Sequence, residues 1–208
     1  LISGTLVQRR QRFLADIDLD SGERITAFCP NTGSMLTCKE PGSPVLVSVS
    51  DNPKRKYAHT WELVKSNGVW TGINTQYPNT LVEEAIRAGT ISELSGYAET
   101  KREVKYGENS RIDLLLQNDT QRCYVEVKNV TLAKNRIAMF PDAVTTRGAK
   151  HLRELQSMIQ QGHRAVMVYV VQRADADLFR PADHIDIEYG KLLRIAHVAG
   201  VEILVYQT

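Results

Sequence analysis

Three side chains on two neighbouring predicted strands carry groups suited to metal-assisted phosphate chemistry. Asp113 lies inside the apolar run 111–116, where a carboxylate is costly unless it is paired, protonated or bound to a metal. Glu126 and Lys128 follow on the next predicted strand. Because side chains alternate along a strand, these two point to the same side, roughly 6.6 Å apart. A hairpin around Asn118 then brings Asp113 beside Glu126.

A cation would explain why two carboxylates are placed together. Two carboxylates at close range repel each other unless a positive charge joins them. Hard oxygen ligands suit Mg²⁺ or Mn²⁺, and a nearby Lys can orient a water or neutralise charge on a phosphate. The competing interpretation is an ordinary half-exposed strand, of which the sequence Val-Glu-Val-Lys at 125–128 is also typical.

The chain of 208 residues is long enough for one or two domains and divides near Asn79. Short strands separated by turn signals fill the first part. They are predicted at 4–16, 24–29, 35–38, 45–50, 61–65 and 69–73. Strands of this length without a long helix indicate a small closed sheet in residues 1–79, with an OB-type barrel as the first choice and an SH3-like barrel as the second.

The second part, residues 80–208, alternates helices and strands. Helices are predicted at 79–88, 146–161 and 189–199, and strands at 101–106, 111–116, 123–130, 164–171 and 202–206. The resulting order of helix, three strands, helix, strand, helix, strand predicts an α/β (α+β) domain with a mixed sheet and helices packed on it.

The composition indicates which cellular compartment and which kinds of partner we expect for this chain. The three cysteines form no repeating pattern, which argues against a disulfide framework and favours a reducing, cytoplasmic compartment. No secretory signal pattern stands at the start. The longest apolar run, 165–171, is far shorter than the roughly 18 residues of a membrane span, so we expect no membrane partner. The net charge of +2 is too small to indicate or to exclude nucleic-acid binding, so the distribution of charge along the chain must decide.

An Asp followed by Glu-x-Lys on the next strand, in this order of elements, resembles the PD-(D/E)xK nuclease superfamily. Further segments resemble the bacterial sugar fermentation stimulation protein A (SfsA) family over essentially the whole chain. They are Phe-Cys-Pro-Asn-Thr-Gly-Ser-Met at 28–35, Lys-Arg-Lys-Tyr at 54–57, Ile-Ser-Glu-Leu-Ser-Gly-Tyr at 91–97 and Phe-Pro-Asp-Ala-Val-Thr-Thr-Arg-Gly at 140–148. One departure is Ile112, which stands where the superfamily usually has Pro.

The resemblance implies an OB-like barrel, a nuclease-like domain, DNA binding and a metal site. Asp113, Glu126 and the Val127 carbonyl would hold Mg²⁺ or Mn²⁺. A further Glu on the first helix is common in such nucleases, and Glu84 is the preferred candidate here over its neighbour Glu83. Lys128 would position or activate the attacking water.

Three basic groups are candidates for contact with DNA. Arg147 and His151 share a helix face with Lys150 nearby, and contact with a scissile phosphate competes there with an ordinary helix surface. In the barrel, one group is Arg9, Arg10 and Arg12 beside Phe13, and the other is Lys54, Arg55 and Lys56 beside Tyr57. Residues 1–79 hold nine Lys and Arg against seven Asp and Glu, which accounts for the whole net charge. Solvated surface is the alternative for both barrel groups.

Two functions follow from these observations. The first is a Mg²⁺-dependent DNA phosphodiesterase that binds largely independently of sequence, since no helix is indicated that would read base edges. The second is a DNA-binding regulator that does not cleave and is linked to sugar (maltose) metabolism through the family name. A sugar-processing enzyme is a weak third, because no pair of carboxylates with an aromatic platform stands out.

Overall fold

The first part of the chain folds as a closed β-barrel. The computed structural model describes residues 1–107 and 109–208. Its barrel strands are β1 (Ile2–Arg10), β2 (Leu14–Leu19), β3 (Arg24–Phe28), β4 (Pro44–Val49), β5 (His59–Ser66) and β6 (Val69–Gly72). They follow the order β3-β2-β1-β4-β5-β6, and a further pairing of Phe28 with Thr60 joins β3 to β5 and closes the sheet. The predicted small barrel is confirmed.

Two of the predicted barrel strands were wrong in detail. The run 4–16 is split between β1 and β2, because Gln11 and Arg12 take left-handed φ values of 51° and 64° and reverse the chain. The segment 35–38 is not a strand. Its buried Met35 and Cys38 belong to a long loop that closes one end of the barrel core. Apolar residues in a short segment can therefore mark a loop packed on a core as well as a strand.

The second part builds a five-stranded mixed sheet with helices on both faces. Its elements are α1 (Tyr77–Arg87), β7 (Glu99–Tyr106), β8 (Ser110–Gln117), β9 (Arg122–Val130), β10 (Leu132–Lys134), β11 (Ile137–Phe140), α2 (Thr146–Gln160), β12 (Arg164–Val171), β13 (Leu178–Pro181), α3 (Ile187–Val198) and β14 (Glu202–Gln207). The main sheet has the order β14-β12-β9-β8-β7. Antiparallel β7, β8 and β9 continue into parallel β12 and β14.

The predicted order of helices and strands in this domain is confirmed. Missing from the prediction was a small sheet of β10, β11 and β13, whose strands of three or four residues are too short to show a period. Helices α2 and α3 pack on one face of the main sheet and α1 on the other. Strand β12 is buried at seven of its eight positions, as its unbroken apolar sequence predicts for a central strand.

The two parts meet at a short connection between β6 and α1, residues 73–76. The boundary proposed at residue 79 falls within the first turn of α1. The buried guanidinium of Arg173 lies at this junction and donates to the Thr131 carbonyl at 2.8 Å and to the Thr37 hydroxyl at 3.3 Å. No helix in the described part of the chain is long and apolar enough to cross a membrane.

Candidate active site

Asp113 lies where strands β8 and β9 separate. The pairing of the two strands ends at Leu114 opposite Val125. Beyond that point, the backbone N–H of Val127 donates to Asp113 Oδ2 at 2.8 Å, and Asn79 of α1 donates to Asp113 Oδ1 at 2.9 Å. The Asp113 carboxylate therefore takes the place of a backbone acceptor on the neighbouring strand. A hydrogen-bond donor orients each of its two oxygens.

Glu126 is held through one of its two oxygens. Its side chain is buried, and Oε1 contacts both Lys128 Nζ and His151 Nδ1. Arg147 Nε donates to His151 Nε2 at 3.4 Å, which leaves the ring proton on Nδ1, pointing at Glu126. Within the described residues, Oε2 of Glu126 has no hydrogen-bond partner. One oxygen is thus tethered, and the other is available to a ligand.

The pKa values of the two carboxyl groups are shifted in opposite directions. Burial raises the pKa of Asp113 above its usual value, and the neighbouring charge of Glu126 raises it further. Burial also acts to raise the pKa of Glu126, but the charge of Lys128 and the hydrogen bond from His151 outweigh burial and hold the pKa below its usual range. The charge of Lys128 acts to lower the pKa of Asp113 but does not outweigh burial and Glu126.

The pair opens into a cleft of about 280 Å³ between the two domains. The sheet contributes Asp113, Glu126, Val127, Lys128 and Asn129, α1 contributes Pro78 and Asn79, the barrel contributes Asn31, Thr32 and Gly33, and the segment before and into α2 contributes Phe140, Asp142 and Arg147. A second buried oxygen without a partner among the described residues, Asn129 Oδ1, belongs to the same wall. The structure therefore brings the predicted Asp, Glu and Lys together in one site.

The structure does not bring Glu84 to the cleft. Glu84 is on the exposed side of α1, and its neighbour Glu83 is buried in ion pairs with Arg87 and Arg102. The helix instead contributes Asn79, which sequence reasoning missed. Asn79 lies four residues before Glu83, so the two side chains share one face of α1. That spacing is the signal from which the face of α1 turned toward the sheet could have been predicted.

On α2, the predicted contact of His151 with a phosphate needs correction. The imidazole is 4% exposed and faces Glu126, so it positions that carboxylate. Lys150 is ion-paired with Glu154 at 3.6 Å and does not line the cleft. Arg147 lines the cleft, where it can meet a phosphate.

The first basic group of the barrel is largely engaged within the protein. Arg9 donates to the Asn31 carbonyl at 2.7 Å and thereby supports the loop after β3. Arg10 pairs with Asp16 at 2.9 Å. Arg12 lines a groove next to the cleft. Of these three predicted DNA-binding residues, Arg12 is the one that lines a groove.

The second basic group is in the loop between β4 and β5, and Lys54, Arg55 and Lys56 are all exposed. Arg55 donates to the Thr60 hydroxyl at 3.0 Å. The ammonium of Lys56 stands 5.5 Å from the ring centre of Tyr57. These cations remain accessible to a phosphate backbone.

Two family profiles match the chain. The one described as "SfsA N-terminal OB domain" matches residues 7–73, and the one described as "Sugar fermentation stimulation protein RE domain" matches residues 76–208. Together they cover both parts of the structure. They bear out the expected OB-type barrel followed by a mixed-sheet domain.

Individual relatives agree with these matches. A sugar fermentation stimulation protein homolog from Geotalea uraniireducens is 60% identical over 207 residues, which are 100% of this chain and 90% of the relative. The homolog from Geobacter sulfurreducens is 58% identical, with 100% and 89% covered. A solved structure of Pyrococcus furiosus SfsA in complex with Ca²⁺ has a TM-score of 0.91 at 26% identity, and the match covers 99% of this chain and 87% of that one.

Proposed function

The chain belongs to the sugar fermentation stimulation protein family, and we propose that its cleft is a divalent-metal-dependent phosphodiesterase site acting on DNA. The observation that carries this proposal is the buried, unpartnered Oε2 of Glu126, a residue that lines the same cleft as Asp113. An ionised oxygen buried without a donor is costly. A bound cation removes that cost and the repulsion between the two carboxylates.

Mg²⁺ or Mn²⁺ fits the donors that the cleft offers. Asp113, Glu126 and the Val127 carbonyl would hold the ion. In the described part of the chain, no three His, Cys, Asp or Glu side chains form a metal-holding group. Mg²⁺ is usually bound by one or two carboxylates together with waters and substrate phosphates, and Asp113 and Glu126 would supply two carboxylates here. When bound, such an ion polarises a phosphoryl oxygen and lowers the pKa of water.

The protein's own residues supply positioning and charge. The ammonium of Lys128 is 14% exposed beside Glu126, where it can orient a water or neutralise negative charge on a phosphate. Arg147 lines the same cleft beside His151 and can bind a phosphate oxygen there. Asp113 and Glu126 stay in place because Asn79, Val127 and His151 hold them.

DNA is the proposed partner, held through its backbone. Lys54, Arg55 and Lys56 offer three exposed cations, and Arg12 offers a fourth near the cleft. Contacts of this kind give binding that depends on salt and little on base sequence. The cytoplasm is the proposed location, since all three cysteines are free thiols, as a reducing compartment keeps them.

A second candidate is a regulator that binds DNA without cutting it. The names of the curated relatives favour a link to sugar fermentation, which a regulator would supply most directly. Binding alone, however, has no use for a buried carboxylate pair with a free oxygen.

One experiment separates the two candidates. Purified protein is incubated with plasmid and oligonucleotide DNA in Mg²⁺, in Mn²⁺ and in chelator, and the same assay is run on Asp113→Asn and on Asp119→Asn, an exposed Asp in the turn between β8 and β9. We expect metal-dependent cutting that D113N loses and D119N keeps. DNA binding without cutting by the wild type in either metal would favour the regulator.

A further inference from the structure

A loop of the barrel forms one wall of the cleft. Residues 31–34, here called the roof loop, follow β3, and Asn31, Thr32 and Gly33 line the same hollow as Asp113 and Glu126. The carboxylates therefore do not lie on an open face of the nuclease-like sheet. A ligand in this cleft therefore contacts both that sheet and the roof loop.

The barrel fixes one side of the roof loop. Arg9 donates to the carbonyls of Asn31 and Gly33 at 2.7 and 2.9 Å. The Asn31 amide donates to the Ile73 carbonyl at 3.1 Å, and its oxygen accepts from the Gly33 N–H at 2.9 Å. These bonds satisfy the backbone of the loop and hold it in one conformation.

The other domain fixes the opposite side. Asp142 accepts the Met35 N–H at 2.8 Å through its carboxylate, and its backbone carbonyl accepts the Ser34 hydroxyl. A Cβ added to Gly33 would meet the Asp142 carboxylate at 3.0 Å, so the two domains touch closely here. Bonded on both sides, the loop is a fixed wall of the cleft.

A second hollow adjoins the cleft at the roof loop. This groove, about 310 Å³, contains Arg12 and shares Thr32, Gly33, Phe140 and Asp142 with the cleft. Thr32 is exposed where the two hollows meet. Phe13, next to Arg12, is 44% exposed. A continuous path thus leads from the carboxylates past Thr32 to the cation of Arg12, and the exposed ring of Phe13 follows Arg12 in sequence.

The dimensions of this path suit one strand of nucleic acid. Each hollow is close to the lower bound of roughly 300 Å³ for pockets that hold a small ligand. In duplex DNA the partner strand lies across grooves only about 6 and 12 Å wide. A backbone bound in the cleft would lie against the fixed roof loop, and a partner strand on that side would have to displace the loop. A single strand brings no such neighbour, and its bases can stack on aromatic rings such as Phe13.

We propose that the DNA strand enters the cleft unpaired, so that the substrate is single-stranded DNA or the single-stranded flap of a duplex. This inference rests on the proposed function. The roof loop determines the specificity by excluding the paired strand, and Arg12 binds the backbone of the strand after it passes Thr32.

Three DNAs of one labelled sequence test this. They are the single strand, a sealed duplex in the form of a relaxed, covalently closed circle without ends or loops, and that duplex carrying a single-stranded flap. Initial rates are measured in Mg²⁺ and Mn²⁺. We expect the strand and the flap to be cut, and the sealed duplex to be cut on the order of 10²-fold more slowly, as a misplaced scissile bond would be.

Thr32→Trp tests the path itself. The indole fills the junction of the two hollows, so cutting of the single strand should fall on the order of 10²-fold, while calorimetric Mn²⁺ binding stays as in the wild type. Ser21→Trp is the matched control, because Ser21 is exposed at the opposite end of the barrel, in the turn between β2 and β3. The control should cut like the wild type.

The outcomes distinguish a failure of this inference from a failure of the proposed function on which it rests. If the sealed duplex is cut as fast as the single strand, or if T32W cuts like the wild type, the path is wrong and the phosphodiesterase stands. If no DNA form is cut although Mn²⁺ binds, the proposed function fails and takes the inference with it.

Discussion

His151 Nδ1 donates to Glu126 Oε1 from a helix 25 residues further along the chain. Lys128 contacts the same oxygen, which leaves the buried Oε2 of Glu126 without a partner in the described residues. The relationship between these two residues joins helix α2 to the central strand at the site. It assigns His151 a positioning role in place of contact with substrate.

Replacing His151 tests that role. His151→Ala should weaken Mn²⁺ binding about 10- to 100-fold, because partners that orient metal ligands are typically worth that much. His151→Asn should largely restore binding, since its amide N–H can stand near the place of Nδ1–H. The measurement is calorimetric titration with Mn²⁺. Equal losses in both variants would show that the donor to Glu126 is not what matters.

Asp113 has a structural hydrogen bond as well as its proposed metal role. Both Asp113→Ala and Asp113→Asn should lose Mn²⁺ binding. In chelator, D113A leaves the Val127 N–H without its acceptor, at a cost of about 1–3 kcal/mol in the free energy of unfolding. D113N keeps an acceptor and relieves repulsion with Glu126, so it should be at least as stable as the wild type.

Urea unfolding in chelator measures these differences. The comparison is informative because the two variants differ chiefly in whether an acceptor remains for the Val127 N–H. D113N less stable than D113A would contradict the account, as would unchanged Mn²⁺ binding in both.

Lys128 is proposed to act on the reaction rather than to hold the metal. Lys128→Ala should keep Mn²⁺ binding and lower cleavage by roughly 10²–10⁴-fold, the usual contribution of a group that moves protons or stabilises charge. Single-turnover cleavage with saturating Mn²⁺ gives the rate. A variant with full cutting activity would remove Lys128 from the mechanism.

The loop of Lys54, Arg55 and Lys56 is proposed to bind phosphates. Replacing all three with Ala should weaken binding to every DNA sequence alike. It should also flatten the slope of log affinity against log salt by about two to three, because each phosphate that a cation neutralises adds roughly 0.7–0.9 to that slope. Fluorescence anisotropy over a salt series measures both quantities.

A matched control removes three exposed cations elsewhere, namely Arg24, Arg136 and Lys191. The net charge changes equally, so only the position of the charges differs. The slope should stay near the wild-type value in this control. Equal slopes in the two triple variants would mean that net charge alone governs binding and that the loop is not the DNA surface.

Arg173 is predicted to stabilise the junction of the two domains. Its fully buried guanidinium pairs with Asp175 through two bonds of 2.6 and 2.7 Å and also donates to Thr131. Arg173→Ala should lower the free energy of unfolding by about 1–3 kcal/mol, because the buried Thr131 carbonyl loses its guanidinium donor. Arg136→Ala breaks the exposed pair with Asp177 and should leave stability nearly unchanged. Similar urea midpoints for both variants would contradict this.

Much of the reactive cluster follows from local sequence. Strand alternation places Glu126 and Lys128 on one side, and a short turn after residue 117 is enough to bring Asp113 back beside them. Strand β12 has the bounds that its apolar run predicts, Arg164–Val171. These features depend on a period of two and on contacts between neighbours in sequence, which the chain specifies by itself.

The tertiary structure alone decided which helical and loop side chains join the cluster. Asn79 reaches Asp113 while Glu84 points to solvent, and this depends on how α1 is rotated against the sheet. Arg9 supports the roof loop, because the N–H donors of a guanidinium can bond to backbone carbonyls as well as to anions. Rotation of a helix and the partner of a cation are set by packing between elements far apart in sequence, and no local pattern encodes them.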